Sequence, residues 1–164
     1  MKRQGLLFIL FVTVFLLPGC QPSDQRIREI VREEFSSAMK RTVIKEGATI
    51  GPYSPAQQVG NFLFVAGQIA MNPATGQLEN KDIEIETRQV LDNLMRIVRK
   101  AGFDSSDVIS TTVYLKDIAD FPKMNGIYGG CFAEGSYPAR ATVQVAGLAK
   151  DAHVEISAIA YKSK

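Results

Sequence analysis

The chain contains no tryptophan, a single histidine (His153) and only two cysteines, Cys20 and Cys131. With no CxxC pair and one imidazole, it lacks the ligand spacings of a zinc site and the dithiol of a redox protein. Charge of one sign is lacking too: 19 basic residues face 17 acidic ones. No basic stripe interleaved with aromatics runs along the sequence, so a nucleic-acid-binding surface is not indicated. The longest apolar run, residues 6–17, holds twelve residues, short of the ~20 that a spanning helix requires. There is no internal repeat and no low-complexity segment.

What that apolar run does offer is an address. Lys2 and Arg3 precede it, and Pro18-Gly19-Cys20 follows. A short basic region, an apolar region of this length and a small residue before the cut are the parts of an export signal. Leu17-Pro18-Gly19-Cys20 resembles a bacterial lipobox, in which the cysteine becomes the lipidated first residue of the mature chain. Gln21 after it resembles the sorting pattern of outer-membrane lipoproteins. An ordinary secretory signal or an uncleaved anchor is the alternative. The expected organisation is a lipoprotein signal peptide over residues 1–19, a lipidated Cys20 with a tether helix over 20–41, and one domain over 42–164. Export would remove Lys2 and Arg3 and leave 17 basic against 17 acidic side chains.

Residues 24–40 predict the tether. Ile27, Ile30, Val31, Phe35 and Ala38 fall near one helical face, with charges on the rest. A spacer between anchor and domain is the plain reading, and a helix that lies on a membrane or a partner is the other. The seam is too short to establish a coiled coil.

The domain reads as α+β. Strands are expected over 42–44, 57–59, 61–69, 108–116, 139–145 and 153–161, where β-branched and alternating residues gather. Phe62, Phe64 and Ala66 alternate with Leu63, Val65 and Gly67. Both sets are largely apolar, which predicts a strand buried on both faces. Helices are expected over 83–101, closed by Gly102, and over 121–132. Two helices would pack on one face of a mixed sheet.

One stretch concentrates the chemistry. Gly135-Ser136-Tyr137-Pro138 approaches the sheet through turn residues and delivers Arg140 to the start of an apolar strand. Taken alone, Arg140 is either a solvated strand-end charge or a fixed fork for a carboxylate. Glu155 sits in an otherwise apolar strand, where burial would favour its protonated form. The alternative is an exposed position of that strand. His153 shares its parity and is expected at the surface. Cys131 is expected to be buried and inert.

Several separated pieces together resemble one family. They are Gly51-Pro52-Tyr53-Ser54, Val65-Ala66-Gly67-Gln68-Ile69, Thr87-Arg88-Gln89-Val90-Leu91-Asp92-Asn93-Leu94, Val113-Tyr114-Leu115-Lys116-Asp117-Ile118, Asp120-Phe121, Asn125-Gly126-Ile127-Tyr128, Tyr137-Pro138-Ala139-Arg140 and Val154-Glu155-Ile156-Ser157-Ala158-Ile159-Ala160. In order and spacing they are similar to the reactive intermediate deaminases (Rid, YjgF-type) across residues 42–161.

The resemblance implies a chorismate-mutase-like domain, a homotrimer with pockets between subunits, and hydrolysis of enamines and imines of the 2-aminoacrylate type to a 2-keto acid and ammonia. It implies no metal and no organic cofactor. Carried over residue by residue, it makes Arg140 the carboxylate anchor and Glu155 the holder of the attacking water. Tyr53, Ala66, Gly67, Asn125 and Tyr128 become substrate-binding or interface positions. Two departures stand out. Ala66 replaces the usual serine, and Ala141-Thr142 replaces the usual serine or cysteine after Pro-Ala-Arg. One lost hydrogen bond to a charged group is worth ~1.5–3 kcal/mol, about ten- to a hundredfold in rate. A non-catalytic binder of small carboxylates or proteins, or a trimeric scaffold on lipid anchors, is therefore the alternative.

Overall fold

The computed structural model describes residues 24–47 and 49–163. The expected signal peptide and the lipidation at Cys20 lie outside the described residues. The chain divides at Lys40 into an N-terminal unit and a domain that starts at Arg41.

In the N-terminal unit, helix α1 spans Asp24–Ala38. Its start is marked by an exposed Arg28–Asp24 pair one turn apart, a geometry that adds only a few tenths of a kcal/mol. Ile30, Val31 and Phe35 are exposed along it. No helix among the described residues is long and apolar enough to cross a membrane.

The domain is a six-stranded sheet with two helices. Its elements are β1 (Arg41–Ile44), β2 (Ala56–Val59), β3 (Phe62–Gln68), α2 (Ile83–Lys100), β4 (Val108–Leu115), α3 (Phe121–Gly129), β5 (Ala139–Gln144) and β6 (Val154–Tyr161). The strand order is β1-β2-β3-β6-β4-β5. Every pairing is antiparallel except β4 with β5, which are parallel and joined through α3. A parallel pair needs such a crossover, whereas β2 and β3 need only the tight turn at Gly60, whose φ is +57°.

Helix α2 follows from its own sequence. The Asp82 side chain caps it by accepting from the Glu84 and Ile85 amides at 3.0 and 2.9 Å. Arg99 and Lys100 lie in its last turn, where cations suit the dipole. Gly102, at φ +82°, turns the chain away. The stripe Val90, Leu94, Ile97 and Val98 is fully buried against Leu63, Val113, Leu115 and Ile156. Truncating any of the larger ones to alanine costs ~2–5 kcal/mol.

The expected two helices on a mixed sheet are present, with three local differences. Helix α3 stops at Gly129, three residues early, because the consecutive glycines Gly129 and Gly130 fall at its end; the amides of Gly130 and Cys131 turn back to Ile127 and Tyr128. Phe62 and Phe64 are exposed, at 41 and 45 %, so β3 is buried on one face of the single chain rather than both. His153 is not a free surface residue: its ring and amide bind the fully buried Glu86 at 2.8 and 2.7 Å.

Candidate active site

Arg140 is the second residue of the edge strand β5 and opposes Thr111 of β4 in register. Thr111 is buried, so Arg140 points to the helix-covered side. There its guanidinium carbon stands 4.4 Å from the centre of the Tyr128 ring and 5.6 Å from that of Phe121. Its Nη2 donates to Asn125 Oδ1 at 2.7 Å. Among the described residues Arg140 has no acidic partner, which leaves a positioned cation with donors to spare.

Tyr128 lies beneath this arginine and is buried; its hydroxyl and that of Thr111 are 2.7 Å apart. Burial pushes its phenol above the usual range, although the Thr111 bond and the Arg140 charge oppose the shift. A neutral ring facing a guanidinium is the arrangement of a cation–π pair. Asn125 is exposed. Within the single chain the Tyr128 ring meets Arg140.

Glu155 belongs to the other side of the sheet. Val154, Ile156, Ala158 and Ala160 of β6 are buried toward the helices, while Glu155 alternates with them and stands opposite Tyr114. It is half-buried with no hydrogen-bond partner among the described residues, and burial raises its pKa above the ordinary carboxylate value. It lies against Gly67: a Cβ built there would overlap Oε1 and fall 2.7 Å from Cδ. The β3–β6 register shifts between Val65 and Gln68, at Ala66 and Gly67. The Gln68 side chain donates back to the carbonyls of Ala66 and Gly67 at 3.0 and 3.3 Å, which holds the irregular turn of strand.

Ala66 also borders a shallow depression of about 300 Å³ shared with Ser54, Gln57, Val59, Phe64 and Val65. The Ala66 amide is bonded to Pro55 O at 3.0 Å, which ties this strand to the loop carrying Tyr53. Tyr53 itself is 45 % exposed. The structure thus brings Arg140, Asn125 and Tyr128 together, and separately Glu155 and Gly67 beside Ala66. It does not join the two groups. Arg140 and Glu155 occupy opposite faces, two strands and three residues of register apart, which puts their Cα atoms roughly 14 Å from each other at ordinary strand spacings.

Sequence reasoning did not single out Thr111, and it placed Phe121 in a family piece without giving its ring a role. A signal for the latter existed: Phe121, Asn125 and Tyr128 stand at i, i+4 and i+7, one face of a helix. Nor did it find Glu86, although an acid flanked by Ile83 and Val90 at i−3 and i+4 interrupts an apolar helical stripe. Among the described residues no group of three His, Cys, Asp or Glu side chains could hold a metal ion.

Comparison with known proteins adds to this geometry. The Endoribonuclease L-PSP family profile matches residues 43–162. A RutC family protein of Pyrococcus horikoshii is 52 % identical over 126 residues, covering 76 % of this chain and 99 % of its own. A 2-iminobutanoate/2-iminopropanoate deaminase of Escherichia coli is 41 % identical over 128 residues, covering 76 % and 99 %. The crystal structure of the YjgF gene product of E. coli is 40 % identical, with a TM-score of 0.71 over 74 % of this chain and 99 % of that one. E. coli TdcF with bound serine gives a TM-score of 0.71 at 37 % identity over 74 % of this chain and 99 % of that one. By sequence over nearly its whole domain and by fold, the chain belongs to the Endoribonuclease L-PSP (YjgF/Rid) family.

Proposed function

We propose that this protein hydrolyses small 2-imino acids, or their enamine tautomers, to a 2-keto acid and ammonia. The observation that carries this reading is a guanidinium held by aromatic rings and an amide, with no acid among the described residues neutralising it. A relative 41 % identical that is named as an imine deaminase supports it.

The chemistry runs as follows. Arg140 takes the substrate carboxylate through two charge-assisted N–H bonds. Glu155, with its proton affinity raised by burial, accepts a proton from water as the oxygen attacks the C=N carbon. The proton passes to nitrogen, the resulting carbinolamine loses ammonia, and the carbonyl forms. One water is consumed, and neither oxidant nor reductant is needed.

The separation of Arg140 and Glu155 within one chain leads to the second element: the protein works as a homotrimer, with Arg140 of one subunit facing Glu155 of the next. Exposed Phe62, Phe64, Val143 and Tyr161 on the uncovered sheet face supply apolar surface for that assembly. Export, and anchoring to the bacterial envelope through Cys20, rests on Lys2, Arg3 and the apolar run before Cys20. Mass spectrometry of the envelope-extracted chain, expected to find two or three acyl chains on Cys20, tests it.

A coupled assay tests the activity. An amino-acid oxidase generates the imino acid in situ, and release of keto acid is followed with the wild type and with Arg140→Ala. Acceleration by the wild type alone is expected. No acceleration across acidic, aliphatic and aromatic imines would favour the second reading, a non-catalytic carboxylate binder, for which Ala66 in place of a hydroxyl-bearing residue is the motive.

A further inference from the structure

We propose that Thr111 and Phe121 are positioning residues for Arg140, and that they set how tightly a carboxylate is held. The inference rests on the reading of Arg140 as a carboxylate anchor. Phe121, Asn125 and Tyr128 form one stripe of α3, and Arg140 lies across all three. A long, flexible arginine loses most of its rotamer freedom when a ligand docks, unless it is already held. Here the holding is done in advance. The Tyr128 ring carries the face of the guanidinium, Phe121 flanks it, and Asn125 takes one N–H of Nη2. The remaining N–H groups stay available to a ligand.

The ring can act as a platform only if its own plane is fixed. Thr111 does this through the bond between the two hydroxyls, and Phe132 packs on Tyr128 with ring centres 5.0 Å apart. Thr111 is also the cross-strand neighbour of Arg140. The same backbone register therefore fixes the base of the arginine and the anchor of the ring beneath it. Substitution of Thr111 touches neither substrate nor Arg140's own hydrogen bonds, yet frees the platform.

The test uses the full-length chain in detergent, nitrogen-15 NMR of the arginine guanidinium groups, and pyruvate as a stable carboxylate probe. Arg140→Lys identifies the Arg140 signals. In the wild type the Nη resonances are expected to be resolved, because rotation about Nε–Cζ is hindered. In Thr111→Val and Phe121→Leu they are expected to merge. The pyruvate Kd should rise about two- to fivefold, the loss expected for one weakened cation–π contact. KM for an imino acid should rise in step while kcat stays unchanged. Thr111→Ser, which restores the hydroxyl, should return all three readouts. Phe121→Leu disturbs no buried hydrogen bond, so it remains informative if Thr111→Val folds poorly.

Resolved signals and an unchanged Kd in both variants would overturn the proposal. So would failure of the wild type to bind pyruvate. If the wild type binds pyruvate and the variants behave as expected, but no imino acid is hydrolysed, the deaminase reading fails and the cradle stands.

Discussion

The carboxylate of Glu155 occupies the space that any side chain at position 67 would need. A Cβ there would overlap Oε1 and lie 2.7 Å from Cδ and 3.0 Å from Cγ. Gly67 is not among the glycines with positive φ, so room rather than backbone freedom calls for it. The register shift of β3 at this point and the seating of Glu155 are one device.

Gly67→Ala is therefore expected to evict Glu155 from its place. Imine hydrolysis should fall about a hundredfold, the usual penalty for displacing a reacting group by an ångström. Stability should fall by ~1–3 kcal/mol from overpacking. In a Glu155→Ala background the stability loss should largely vanish, because the obstacle is gone. Thermal unfolding of the four chains of this cycle checks it, and additive losses would rule out the clash.

Glu155→Gln separates function from stability. Burial raises the folded-state pKa of Glu155, so the folded chain binds this proton more tightly than the unfolded chain does. That contribution to stability is complete below the unfolded value of about 4.3 and is lost as pH rises through the folded value. Glutamine does not titrate. The variant should melt with the wild type in acid and above it at neutral pH, while turnover falls about a hundredfold or more with the base removed. Melting curves at pH 4 and pH 7 decide; an equal offset at both would show that burial of the charge is not the cause.

How much of this could be read from residues alone depends on the range of the interaction. Helix α2 was legible because its apolar spacing, Gly102 and its terminal cations all act within a few residues. Arg140 stood out through the turn residues before it and the family pieces around it. The opposite faces of Arg140 and Glu155 were not legible, since they depend on how β4, β5 and β6 register across the sheet. The exposure of Phe62 and Phe64 was misread for a related reason. An alternating apolar strand states that both faces seek cover, but not whether the cover comes from the same chain. The pairing of His153 with Glu86 joins residues 67 positions apart, and only the fold brings them together.

Glu86 gives a third prediction. Its side chain is fully buried and accepts from the amides of His153 and Val154 at 2.7 and 3.3 Å, besides the His153 ring. Glu86→Ala strands these donors at the start of β6 and should cost ~3–5 kcal/mol. Glu86→Gln keeps an oxygen for the amides and should cost distinctly less. Urea unfolding with unchanged m-values checks both; equal losses would mean that the charge, not the amide bonds, holds the strand.

The proposed shared site makes a prediction that single variants cannot. If Arg140 of one subunit serves Glu155 of its neighbour, Arg140→Ala and Glu155→Ala chains are each inactive alone, but a mixed ring contains one junction where both native residues meet. Random assembly at equal expression makes three quarters of the trimers mixed, with one intact site in three, so about a quarter of wild-type activity should return. If both residues served one chain, every chain in the mixture would still lack one of them, and nothing would return. Phe64→Lys is the companion test. It puts a charge on the exposed sheet face that assembly would bury without a partner, so light scattering should report a monomer with intact secondary structure. Loss of activity in that monomer, together with recovery in the co-expressed pair, would place the reacting groups on two chains, and an active monomer would return them to one.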